Sequence, residues 1–110
     1  MDLLEDPSRT LASSEFVRLE VLPQAYYHRN RAEVEIYESF FRRVSRWAEP
    51  VEVITRNAYD EALKTGLSAL DALHVAAAAL AGADELLTAE KPDKPIHRAR
   101  LVPVRTTRTA

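Results

Sequence analysis

LSALDALHVAAAALAGADELLTAEK, residues 67–91, decides how this chain reads. From Ala69 to Ala81 the only polar side chains are Asp71 and His74, and a helix apolar nearly all round is a buried one. Ser68 supplies an N-cap and Gly82 a stop. The run Glu85–Thr88 that follows has the length and flanks of a strand. Asp71 has two explanations. Ser68 and Asp71 match the S-x-x-[DE] capping box, which accounts for the acid structurally. Otherwise it is a carboxylate held in an apolar helix for its chemistry. His74 reads more simply as a hydrogen-bonded core histidine than as a ligand. Glu90 comes two residues after the strand, with Thr88 and Asp93 in the same zone. That is where parallel sheets gather ligands, beyond the carboxyl ends of their strands.

Outward from this stretch, helices and strands alternate. Met1–Glu5 reads as the last turn of a helix closed by the Asp6-Pro7-Ser8 turn, and Arg9–Ala12 reads as a strand by context. Ser13 or Ser14 caps a helix that runs to Leu22 and ends at Pro23. Arg31–Trp47 is a long amphipathic helix with Val34, Tyr37, Phe40, Phe41, Val44 and Trp47 at helical spacing, broken by Glu49-Pro50. Val51–Ile54 (VEVI) reads as a strand and Asn57–Lys64 as a helix stopped by Gly66. The final LVPV contains a proline and suits an edge strand. The alternation predicts an α/β fold with a parallel sheet covered by helices on both faces.

On a helical wheel of about 100° per residue, SSEFVRLEVL places Phe16, Val17, Leu19 and Val21 on one apolar arc. Glu20 falls inside that arc and Arg18 points away from it. A buried unpaired carboxylate costs several kcal/mol, so Glu20 needs a partner, a proton or a metal. The structural alternatives are an exposed helix end or an ion pair with an arginine. Together Glu20, Asp71 and Glu90 describe a site for a hard cation, Mg²⁺ or Mn²⁺, which prefers carboxylate oxygens and retained waters. Such a site can activate water for phosphodiester cleavage.

At 110 residues, 46% of them hydrophobic, the chain holds one domain with a sizeable core. The net charge of -2 selects no partner. Its distribution is uneven: six Lys/Arg against one Asp in residues 91–110 give +5, and nine against sixteen acids in residues 1–90 give -7. A basic tail on an acidic body suits a phosphate backbone or an acidic partner, and equally a solvated terminus. The absence of cysteine excludes disulfides and thiolate-held metals and fits a reducing cytoplasm. The start lacks a signal pattern and VAAAALAGA is too short to span a bilayer.

Two segments resemble the PIN domain family. LASSEFVRLEVLP, residues 11–23, is similar to its strand-to-helix segment, in which a helical Glu is a metal ligand. Residues 67–91 resemble its most recognisable segment: an Asp-Ala-Leu-His helix, a Gly-Ala-Asp turn, and a strand ending in Thr and a further acid. The resemblance implies a three-layer α/β/α sandwich with a parallel sheet. It implies a Mg²⁺- or Mn²⁺-dependent endoribonuclease, often a VapC-like toxin neutralised by an antitoxin. Glu20 and Asp71 would be metal ligands, with Glu90 standing where the family usually has Asp and Thr88 beside it as a supporting hydroxyl. The longer Glu90 side chain suits contact through a water better than direct ligation. The family opens with a hydrophobic strand ending in Asp. Nothing before Arg9 has that character, and Asp2 is not assigned the role. The expectation is therefore a domain lacking its first strand and one ligand, with a gap between two paired strands.

Three readings follow. In the first, the chain cleaves RNA, with Lys91, Lys94, Arg98, Arg100 and Arg105 holding phosphates without regard to sequence. In the second, it is an inactive remnant acting as a binding module for RNA, for an antitoxin-like protein, or as a homodimer. A small helical DNA-binding protein is the third, and no helix-turn-helix signature supports it.

Overall fold

The apolar helix of residues 67–91 is α4, Ala69–Leu80, in the computed structural model, which describes residues 6–108. The helical turn expected at Met1–Glu5, with Asp2, lies outside the described residues. Val75 and Ala76 of α4 are fully buried, and Ala72 and Ala77 nearly so. Their small side chains let neighbours approach closely. The Ser68 hydroxyl accepts from the Asp71 N–H at 3.3 Å. Gly82 ends the helix at φ 75°, a left-handed conformation that favours glycine.

Packed along α4 is α3, Val51–Thr65. The strand expected at Val51–Ile54 is the first turn of this helix. Alternation would bury Val51 with Val53, whereas the structure buries Ile54, Ala58 and Glu61 at steps of four and three and leaves Val51 exposed. Burial against α4 outweighs the local β-propensity of VEVI. Gly66 closes α3 at φ 72°. Ile54, Ala58, Leu67, Val75 and Ala76 join Ile96 and Val102 in one core cluster.

The first two helices are α1, Glu15–Tyr27, and α2, Arg31–Arg43. Ser14 caps α1, accepting from the Val17 N–H at 3.3 Å. Pro23 does not end α1 but lies inside it. The carbonyl of Leu19 that loses its bond belongs to a residue 71% exposed, so water can satisfy it. The long second helix stops at Arg43, and Trp47 belongs to a strand instead. There its ring stacks on Phe41 at 5.8 Å.

The strands are β1, Ala12–Ser13; β2, Arg46–Trp47; β3, Leu86–Thr88; and β4, Val104–Thr106. β1 pairs in parallel with β2, placing Ala12 opposite Arg46, and β3 pairs in parallel with β4, placing Leu86 opposite Val104. The fold is mixed α/β with parallel pairing, divided into two two-stranded sheets. Pro103 stays just outside β4, and its carbonyl accepts from the Leu86 N–H at 2.8 Å. Among the described residues no helix is long and apolar enough to cross a membrane.

Candidate functional site

Glu20 is not buried in an apolar arc as the wheel placed it. Helix α1 turns Leu22 and Ala25 inward, Leu19 lies outside, and the Glu20 side chain is 47% exposed. Arg18, expected to point away, lies over the rings of Phe41 and Trp47 at 5.8 and 5.7 Å. A guanidinium can cover aromatic surface while keeping its charge, so this face of α1 needs no apolar residue there.

What Glu20 meets is α4. Its Oε1 lies 3.2 Å from Nε2 of His74, whose side chain is only 10% exposed. His74 Nδ1 is buried and has no hydrogen-bond partner among the described residues. The pair joins two helices distant in sequence and turns one carboxylate oxygen toward α4. Asp71 sits one helical turn before His74, so its side chain leaves the same side of α4. The capping box is half formed: the Ser68 hydroxyl takes the Asp71 N–H. Among the described residues no hydrogen bond returns from the Asp71 carboxylate, which remains available.

Glu90 occupies the bend after β3. Its N–H donates to Thr88 Oγ1 at 3.1 Å, and its carbonyl lies 3.3 Å from His97 Nε2. Thr88 thus fixes the backbone that carries Glu90, and the carboxylate itself is exposed. Hard carboxylate oxygens are the donors Mg²⁺ prefers, and it is commonly held by one or two of them with waters and substrate phosphates. Glu20 and Asp71 fit that chemistry. A closed cage is a different matter: among the described residues, no three His, Cys, Asp or Glu side chains come together to hold a metal. The three expected acids are therefore not gathered into one cluster.

Two of the basic residues expected to hold phosphate also have structural contacts. Arg98 Nε donates to the Thr65 carbonyl at 3.1 Å, and Arg105 lies 3.6 Å from Glu85. Sequence reasoning missed Glu61, which is 2% exposed. Its Oε2 accepts from the N–H groups of Arg100 and Leu101 at 2.6 and 3.1 Å. The signal was present, since Ile54, Ala58 and Glu61 share one face of a helix. Also unforeseen in extent is a groove of about 820 Å³ between β1 and β3, lined by residues of both.

No family model, no curated protein and no solved structure matches this chain.

Proposed function

We propose that the chain is a PIN-type ribonuclease dependent on Mg²⁺ or Mn²⁺, with an α/β/α layering and RNA as its substrate. The observation that carries this reading is the meeting of α1 and α4, which sets Glu20 3.2 Å from His74, one turn beyond Asp71. In it the Asp-Ala-Leu-His helix and the acid-bearing helix stand side by side. Glu20 and Asp71 would hold the cation, which supplies water activation and charge neutralisation at the phosphate.

The chain's own residues do the positioning. His74 steers the Glu20 carboxylate by holding one of its oxygens. Thr88 anchors the backbone of Glu90, whose exposed carboxylate suits contact through a water. Lys91, Lys94 and Arg100 are exposed beyond this bend and meet the RNA backbone as a sequence-independent attraction. The same reading makes the protein a cytoplasmic toxin with an antitoxin as partner.

A second reading is a non-cleaving binding module. RNA incubated with added Mg²⁺ or Mn²⁺ and wild type or Asp71→Ala separates the two. Cleavage lost in the variant supports the nuclease. Equal cleavage by both proteins discards the site, and no cleavage by either favours the binding module.

A further inference from the structure

Between α1 and α2 the chain turns through residues 26–31, Tyr-Tyr-His-Arg-Asn-Arg, and every one of them is exposed. Tyr27 is 82% exposed and Tyr26 55%, so neither ring is spent on the core. The Tyr27 and His28 rings stand edge to face, 5.2 Å apart at 84°. In that arrangement each ring gives at most one face to the other and keeps a second for a ligand. The stretch holds two arginines and no acid. Among the described residues neither Arg29 nor Arg31 is in an ion pair.

The corner is held in one shape by its own backbone. Arg29 N–H donates to the Tyr26 carbonyl and Asn30 N–H to the Ala25 carbonyl, each at 3.0 Å. The Asn30 side chain then accepts from Glu33 N–H at 3.1 Å, capping α2. This is the helix ending whose left-handed position glycine usually fills. Arg29 takes that position at φ 54°, against the steric preference of a residue with a side chain. Glycine would close the same turn without that cost, so what the arginine adds is its cation. Residues held in such conformations gather at ligand-binding sites.

The corner also has a fixed relation to the acid-bearing face of α1. Tyr27 comes seven residues after Glu20. That is about 20° short of two full turns, so both leave one face of the helix about 10.5 Å apart. Nucleotides stacked along one strand are spaced by about 3.4 Å. A strand with a phosphate at Glu20 therefore brings the base about three nucleotides away to Tyr27. In a duplex the bases stack on each other and offer no free face, so exposed rings beside cations select single strands.

We propose that residues 26–31 form a platform for single-stranded RNA, on which an unpaired base stacks against Tyr27 while Arg29 and Arg31 hold the flanking phosphates. The proposal rests on the reading of RNA as the substrate, and assigns which form of RNA is taken and where it is held.

The experiment titrates the protein in EDTA with a fluorescein-labelled, ten-nucleotide RNA of adenine and cytosine, read by anisotropy. The same strand annealed to its complement and a labelled Asp/Glu peptide are the comparisons. Saturable binding of the single strand is expected, weakened about 5- to 150-fold by Tyr27→Ala. Tyr27→Phe, which keeps the ring, should bind as wild type. Arg29→Gly should melt no lower than wild type, yet reduce the slope of log K against log salt by about 0.7, one phosphate contact. No saturable binding, a Tyr27→Ala variant that binds as wild type, or a duplex that binds as tightly overturns the proposal. So does an acidic peptide that binds as tightly with the same need for Tyr27, which makes the corner a protein-docking site. EDTA separates binding from cleavage. Tyr27-dependent binding by a protein that never cleaves keeps the platform and discards the nuclease; cleavage with an indifferent Tyr27→Ala does the reverse.

Discussion

Glu61 offers the sharpest test of how the carboxyl-terminal segment is held. Its carboxylate is buried and spends one oxygen on two backbone donors, Arg100 N–H at 2.6 Å and Leu101 N–H at 3.1 Å. That contact ties α3 to the stretch between Ile96, Val102 and β4, and so to the strand that β3 needs. Hydrogen bonds to a charged group contribute about 1.5–3 kcal/mol each, and a stranded buried donor costs about 1–3 kcal/mol. Removing the carboxylate recovers part of its own desolvation. Glu61→Ala is therefore expected to cost about 2–4 kcal/mol, a large share of the roughly 5–15 kcal/mol available to a domain. Glu61→Gln keeps an oxygen in place but loses the charge, which is worth about half the bond strength, so it should cost less. Urea unfolding followed by circular dichroism measures both, and an unchanged slope m identifies the effect as one on stability. Faster amide exchange at Arg100 and Leu101 should accompany the loss. If Glu61→Ala shifts stability by no more than about 0.5 kcal/mol, the range of a neutral surface change, the anchoring argument fails. It fails equally if Gln costs as much as Ala.

Pro23→Ala restores the N–H that the Leu19 carbonyl lacks inside α1 and should stabilise by about 1–2 kcal/mol, after allowing for the greater freedom of the unfolded chain. Thermal melting checks it; a lowered Tm refutes it. The Asp6 carboxylate accepts from the Ser8 hydroxyl at 2.7 Å and the Ser8 N–H at 2.9 Å, and with Arg9 nearby these hold its pKa below the ordinary carboxylate value. A depressed folded pKa contributes stability above the unfolded value and loses it as pH falls through the folded one. Ser8→Ala should raise the Asp6 titration midpoint in an NMR pH series and bring that loss to higher pH. An unmoved midpoint assigns the shift to other groups.

What the sequence makes legible tracks the physics each residue obeys. The helix at Ala69–Leu80, its Ser68 cap and its Gly82 stop all follow from local rules and uniform burial. The strand at 86–88 lies where its short apolar run predicts it, whereas the last strand, 104–106, begins only at the final residue of LVPV, beyond Pro103. VEVI reads as a strand because its β-branched residues dominate so short a window. Its helical fate depends on Ile54 and Ala58 packing against α4, which no local rule contains. The wheel of α1 misplaces Glu20 because it treats Arg18 as solvent-facing, whereas aromatic rings from α2 and β2 receive it. Likewise Glu20–His74 joins residues fifty-four positions apart, a pairing that only the packed helices bring about. The acids were identifiable as candidates. Their arrangement, a pair with a histidine in place of a three-member cluster, was not.

The nuclease reading meets its most direct test in a single-turnover cleavage assay on end-labelled RNA with Mg²⁺, comparing wild type with the near-isosteric Glu20→Gln and Asp71→Asn. Both substitutions keep side-chain shape and remove a hard anionic donor. The expected result is metal-dependent cleavage by wild type, abolished by EDTA and reduced about 100-fold or more in each variant. Cleavage that persists in EDTA, or that both variants retain at the wild-type rate, contradicts the account.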